Sequence, residues 1–308
     1  MRGIILAPKK DQEGIVLFLL AVPFCLLVFI FSYLPLFGWI YAFFDYRPPL
    51  RLSDTEFVGL KWFTSLIQNT VQVQQILEVL RNTFAISGLN ILASVLPMFF
   101  AIFLAEIKSS RFRKGVQVLT TLPNFVSWIL IFSLCFSLMS TEGIVNNLLL
   151  DNGIIDTPVN WLVQNNHTWL FMLFLSIWKT IGWNSIIYFA SIAGIDQEMY
   201  EAAEVDGARR LAKIIYITIP CLMPTYFVLL LLQVANFLNN GMEQYFVFQN
   251  SFNKSHIQVL DLYVYNIGIA TSSVSLAVAI GILKSFVSVA LLFIVNNLSK
   301  IVRGETII

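Results

Sequence analysis

Six stretches of this sequence are long and apolar enough to cross a bilayer, and that feature removes most folds from consideration. They cover roughly residues 14–36, 82–106, 116–139, 168–192, 223–239 and 274–296. A helix needs about 20 apolar residues to span the hydrocarbon core. Each run is unbroken by alternating polarity, so helices are expected rather than strands, with every backbone polar group satisfied inside its own span. Composition agrees: 57% of residues are hydrophobic and 12% charged, about half the charge of a soluble domain.

Charge sets the expected orientation. With the N-terminus inside, the cytoplasmic segments hold Arg2, Lys9, Lys10, Lys108, Arg111, Arg113, Lys114, Arg209, Arg210, Lys213, Lys300 and Arg303. The outer segments hold Arg47, Arg51, Lys61, Arg81 and Lys254, while Lys179 and Lys284 lie within spans. Twelve basic residues against five places both termini in the cytoplasm by the positive-inside rule. The run after Lys10 is longer than the core of a signal peptide and has no small-residue cleavage site, so it reads as a retained first span. One membrane domain over 1–308 is expected, with outer loops long enough only for short helices.

Several function classes lose support at once. A net charge of +1 gives no electrostatic case for nucleic acid. Cys25, Cys135 and Cys221 stand far apart in apolar runs, without metal-ligand spacing. The two histidines, His167 and His256, are both in outer loops. No Gly-rich phosphate loop is present: Lys284-Ser285 follows Gly281 inside a span. No Asp or Glu lies mid-span, which counts against an ion-coupled secondary transporter. Asn166-His-Thr168 matches a glycosylation tripeptide, which by itself carries no function.

The segment between the fourth and fifth runs is not a simple turn. Asp196 is suited to cap a helix through Glu201-Ala202-Ala203-Glu204, with Glu198 at the positive end of its dipole. Gly207 reads as an elbow, and a second helical segment follows as far as Pro220. Acidic residues precede basic ones.

Glu201-Ala202-Ala203, Asp206-Gly207-Ala208, Ile217, Pro220 and Pro224 resemble the EAA loop of ABC importer permeases. Ile219 stands where that pattern usually has Leu, and Ile214 where Phe is frequent. The resemblance extends along the chain: Tyr33-Leu-Pro-Leu-Phe-Gly38, Ala42-Phe43, Asp45-Tyr46, Phe57-Val-Gly-Leu60, Trp62-Phe63, Pro123-Asn-Phe-Val-Ser-Trp128, Gly143-Ile-Val-Asn-Asn-Leu148, Trp178-Lys-Thr-Ile-Gly-Trp-Asn184, and Asp261-Leu-Tyr-Val-Tyr265 with Gly268. Asn266 stands where a basic residue is common. Together these pieces resemble sugar-type permeases, specifically those serving oligosaccharides and polysaccharides in Gram-positive bacteria.

The resemblance implies an all-α, six-span, type I importer permease in the bacterial cytoplasmic membrane. It implies a coupling loop over 194–220 in which Glu201, Ala202, Ala203, Asp206 and Gly207 dock on an ATPase subunit. Its expected partners are a second homologous permease in a heterodimer, two ATPase subunits carrying ATP and Mg, and an extracellular, lipid-anchored substrate-binding protein. The chain would be a transport subunit without a catalytic site.

Carbohydrate chemistry fits the polar residues of the spans, because pyranose rings stack on aromatic faces and their hydroxyls pair with amides and hydroxyls. Trp178, Lys179, Thr180, Trp183 and Asn184 cluster in the fourth run, with Lys179/Trp183 and Thr180/Asn184 each sharing a helix face. Gln233, Asn236 and Asn240 fall at i, i+3 and i+7, one helical stripe. Glu243 and Gln244 resemble that family's Gly-x-Glu-Gln turn, which implies a further contact at Glu243 for substrate or docking protein. These nine residues are the expected substrate contacts. Interhelical hydrogen bonding for the amides, and anchoring for the tryptophans, remain open alternatives. So does another solute, such as a polyol or glycerophosphate.

Overall fold

The computed structural model describes residues 10–163 and 167–303. Arg2, Lys9 and Asn166 lie outside the described residues, as do the side chains of Lys10 and Arg303. Six helical stretches are long and apolar enough to span: Gly14–Phe43, Thr70–Ala105, Trp128–Asp151, Thr168–Ala193, Arg210–Ala235 and Val274–Asn297. The sixfold hydropathy pattern is therefore realised as helices, with several boundaries moved.

Three of those shifts have clear causes. The second span begins at Thr70, where the Asn69 side chain accepts from the backbone of Val71 and Gln72; its polar first turns hid this start from a hydropathy reading. The third run is not one helix from 116 to 139. A helix over Ser110–Thr121 ends in a 3-10 turn over Leu122–Phe125, and a new helix starts at Trp128 under a Ser127 cap. Pro123 lacks an N–H, and Pro at the first positions of a segment breaks a helix running into it. The fifth span starts at Arg210 and ends at Ala235, not Asn239. A π-turn over Ile214–Thr218 immediately precedes Pro220, widening the helix where that ring would otherwise crowd a carbonyl.

The chain divides into two compact units. One runs up to Leu66 and adds Ile267–Ile282. Its first span exposes Phe18, Phe24, Phe31 and Phe37 at 68–74%, as expected for a helix apolar all round in lipid. Beyond it, the chain folds back: Phe44 bridges to Phe57, and Val58 and Gly59 donate to the Phe43 carbonyl. The Trp62 indole donates to the Phe44 carbonyl at 3.0 Å, and Tyr46 N–H donates to Ser275 Oγ at 3.1 Å. Ala42, Ala279 and Ile282 form the core there, with Trp62 and Phe63 packed against it.

The other unit comprises Ile67–Asn266 and the chain from Leu283. One apolar cluster joins Ile86, Ile131, Met172 and Leu175 to Tyr245, Phe248 and Ile257. A second joins Met98, Ala101 and Ile102 to Tyr188 and Leu222. Buried polar residues fix the segment 255–260 on the second span. Asn82 donates to the carbonyls of Ser255 and Gln258, and Thr83 Oγ1 accepts from Leu260 N–H at 2.9 Å. Cys135 is buried in the first cluster, and all three cysteines are free thiols.

Candidate functional site

The fourth span and the chain that precedes Trp128 are locked together. Lys179 is 9% exposed. Its ammonium donates to the carbonyls of Pro123, Asn124 and Val126 at 3.2, 2.9 and 2.6 Å and lies 5.4 Å from the Trp128 ring centroid. One turn on, Gly182 abuts the backbone of Thr120 and Thr121 so tightly that a β-carbon would collide with it. Trp183 meets Phe125 edge to face, with ring centroids 5.7 Å apart. Two motifs far apart in sequence are thus the two faces of one joint.

On the neighbouring face of the same helix a cavity of ≈ 480 Å³ opens, within the range of small-ligand sites. Ser176, Thr180, Trp183 and Asn184 line it from the fourth span, Asn90 and Ser94 from the second, and Tyr226 and Gln233 from the fifth. Thr180 and Asn184, four positions apart, reach it together. Thr180 Oγ1 donates to the Ser176 carbonyl at 2.8 Å, and Ser94 Oγ lies 3.4 Å from Tyr226 Oη. Among the described residues, no hydrogen bond engages the side-chain amides of Asn90, Asn184 and Gln233. Pro97 also lines the wall, and the helix break at Ala93–Leu96 beside it exposes Ser94 to the cavity.

The nine expected substrate contacts therefore separate. Thr180, Trp183, Asn184 and Gln233 line the cavity. Lys179 is spent on the joint, and Trp178 is 40% exposed outside the cavity lining. The expected stripe through Gln233, Asn236 and Asn240 is not helical to its end. The helix stops at Ala235, and Asn236 donates to the Leu232 carbonyl both its backbone N–H, at 3.1 Å, and its side-chain amide, at 3.0 Å. Asn240 instead pairs with Ser87, Nδ2 to Oγ at 2.9 Å. Glu243 is exposed at the start of a short helix, Glu243–Phe248. Its neighbour Gln244 is buried and donates to the Met172 carbonyl at 2.8 Å. Asn90, Ser94 and Tyr226 were not anticipated. Their signal was present, since a polar residue inside an apolar run faces protein or a cavity.

A second feature occupies the segment between the fourth and fifth spans. Asp196 caps a helix over Gln197–Val205 by accepting from Glu198 N–H at 3.0 Å. The helix ends in a paired closure: Gly207 N–H donates to the Glu204 carbonyl and Ala208 N–H to the Ala203 carbonyl, at 3.0 and 2.8 Å. That pattern needs a left-handed residue after the cap, and Gly207 has φ +74°. Glu201, Ala202, Asp206 and Gly207 are exposed and Ala203 half-buried. Val205 is 89% exposed, an apolar side chain presented at the elbow.

This helix is tied to the spans rather than left loose. Tyr200 Oη and Thr218 Oγ1 lie 2.9 Å apart. Lys213 pairs with Glu204 at 2.8 Å and, through that hydrogen bond and its charge, lowers the Glu204 pKa below the ordinary glutamate range. Arg210 grips the carboxylate and the backbone carbonyl of Glu106, at the end of the second span. The short helix is thereby bonded to the fifth span, and the start of the fifth span to the end of the second. No group of three or more His, Cys, Asp or Glu among the described residues is placed to hold a metal ion.

Comparison with known proteins converges. Residues 86–304 match the family model described as the binding-protein-dependent transport system inner membrane component. The chain is 35% identical to Protein LplB of Bacillus subtilis (strain 168), over 96% of this chain and 90% of that protein. It is 34% identical to the polygalacturonan/rhamnogalacturonan transport system permease protein YteP of the same organism, over 92% and 87%. Among solved structures, it is similar to a chain of a bacterial ABC transporter involved in the import of the acidic polysaccharide alginate. That similarity has a TM-score of 0.83 at 29% identity, covering 96% of this chain and 98% of the other.

Proposed function

The chain belongs to the family of binding-protein-dependent transport inner membrane components, and from that premise we propose that it is the permease subunit of an ATP-driven importer for an oligosaccharide or glycan fragment. The relatives named for polygalacturonan/rhamnogalacturonan and alginate transport support the substrate class. The observation that carries it in this chain is the cavity, where free amides, hydroxyls and the half-exposed Trp183 line one space between spans. Those groups bind sugar hydroxyls and ring faces.

The mechanism is alternating access. A binding protein outside the membrane delivers the sugar to a pore made by this chain and a homologous permease. ATP and Mg close two ATPase subunits in the cytoplasm, where both termini of this chain also lie. The exposed helix at Gln197–Val205 rides on the ATPase through Glu201, Ala202, Ala203 and the Asp206-Gly207 elbow. Arg210 with Glu106, and Tyr200 with Thr218, carry the displacement into the second and fifth spans. The paths of the spans then open the cavity to one side or the other. Thr180, Trp183, Asn184 and Gln233 touch the sugar in transit, joined by Asn90, Ser94 and Tyr226.

Uptake by the complete complex in proteoliposomes tests this reading. Radiolabelled oligosaccharide should accumulate only with ATP inside and the binding protein outside, and a protonophore or sodium ionophore should leave the rate unchanged. Accumulation driven by an ion gradient without ATP would contradict it.

A further inference from the structure

The cavity wall carries a more specific instruction about its ligand. Its polar members are three amides, Asn90, Asn184 and Gln233, together with the hydroxyls of Ser94, Ser176 and Thr180 and the phenols of Tyr188 and Tyr226. Among the described residues, no Lys, Arg, His, Asp or Glu lines it. The nearest span cation in sequence, Lys179, precedes a wall residue but has no capacity left. An ammonium offers three donors, and the three carbonyls of Pro123, Asn124 and Val126 take them all. The other mid-span cation, Lys284, is bound to Asp261. Asp261 spends its second oxygen on Gly241 N–H at 2.9 Å. Moving either lysine toward the cavity would break these bonds and leave buried groups unpaired.

Resting on the carbohydrate reading above, we infer that this cavity selects uncharged sugar units and excludes uronic acids. A neutral pyranose offers hydroxyls that act as both donor and acceptor, which matches amides and hydroxyls in both senses. A carboxylate lodged there would shed its hydration without a cation to replace it, which costs several-fold to many-fold in affinity. The wall is thus complementary to a neutral saccharide, in contrast both to the acidic polysaccharide of the transporter of similar fold and to the polygalacturonan for which one relative is named.

The experiment compares neutral oligosaccharides with the same chains oxidised at C6 to uronates. The complete complex is reconstituted in proteoliposomes, and the affinity of the binding protein for each ligand is measured separately by calorimetry. Uptake kcat/KM, normalised to that affinity, should fall at least about tenfold on oxidation. Gln233→Arg should narrow the gap by placing a cation in the wall. Asn184→Lys, on another helix, serves the same purpose if the first variant fails to assemble. Equal normalised uptake of the oxidised chains by the unaltered protein overturns the inference while leaving the carbohydrate reading intact. Uptake of no saccharide, with ATP and binding protein present, overturns the carbohydrate reading and this inference with it.

Discussion

The ammonium of Lys179 sits 2.6 Å from the carbonyl oxygen of Val126, so a charge in the middle of the fourth span is spent on the backbone that leads into the third. Where the 3-10 turn at Leu122–Phe125 gives way to the helix at Trp128, the Pro123 carbonyl accepts from Val126 N–H but those of Asn124 and Val126 have no backbone donor, and buried carbonyls demand donors. One flexible side chain with three donors meets that demand.

Replacing this lysine by an apolar side chain of similar length should therefore destabilise the joint. Lys179→Met removes all three bonds and leaves the carbonyls of Asn124 and Val126 without a donor, at a cost of about 2–4 kcal/mol in total. Thermal unfolding of the detergent-solubilised complex should show the loss. Lys179→Arg should recover only part of it, because a planar fork does not point its donors at three separate carbonyls as an ammonium does. An unchanged unfolding temperature in Lys179→Met would mean the joint does not depend on this contact.

Gly182 and Gly88 make a matched pair. A β-carbon at Gly182 strikes the Thr120–Thr121 backbone, whereas at Gly88 it meets nothing within 4 Å. Gly182→Ala should cost about 1–3 kcal/mol by forcing two helices apart. Gly88→Ala should be neutral or slightly stabilising, since alanine is the better helix former. Membrane levels and melting curves of the two variants provide the comparison, and equal behaviour would contradict the close packing.

Lys284 and Asp261 should prove energetically coupled. Each is about one-fifth exposed or less, so either one alone is an ill-solvated charge. Asp261→Asn should destabilise more in the native background than in Lys284→Met. A double-mutant cycle in melting free energy should give a coupling of about 1–3 kcal/mol, and additivity would exclude a functional pair.

Acid should loosen the coupling helix through Glu204. Its pKa is lowered in the folded chain by the hydrogen bond and charge of Lys213. A lowered carboxylate pKa contributes stability that is full above the unfolded glutamate range and is lost as pH falls through the folded value. Hydrogen-exchange protection of the amides over Gln197–Val205, corrected for intrinsic rates, should therefore fall on acidification in the unaltered chain. In Lys213→Met that pH dependence should flatten. Identical profiles would rule out the link.

What could be read beforehand followed from chemistry that is local in sequence. Spans announce themselves by length and apolarity, and the cap at Asp196 and elbow at Gly207 by residue type. Contacts across the fold did not. Nothing in Trp178-Lys-Thr-Ile-Gly-Trp-Asn184 says that Lys179 seeks carbonyls rather than sugar, because its partners lie 53–56 residues earlier. The break at Pro123 was visible as a proline but was outweighed by the apolar run around it. The end of the fifth helix at Ala235 left no local mark, since Asn236 still gives the Leu232 carbonyl its backbone N–H and adds its side-chain amide. Asn146 shows the same limit: within Gly143-Ile-Val-Asn-Asn-Leu148 it is fully buried and ties Ser140 to Val159, so that motif builds a loop.

Energy coupling through the exposed helix is the centre of the account, and Gly207 tests it most directly. Gly207 holds φ +74° with open space around it, so Gly207→Val strains the elbow without striking a neighbour, while Glu201→Ala removes an exposed charge proposed to dock and leaves the fold alone. The measurement is ATP-driven oligosaccharide uptake together with ATP hydrolysis, in proteoliposomes holding equal amounts of assembled complex. Uptake per ATP hydrolysed should fall at least about tenfold in Gly207→Val and less in Glu201→Ala, with membrane insertion intact. Unaltered uptake per ATP in both variants would contradict the assignment of this helix as the coupling element.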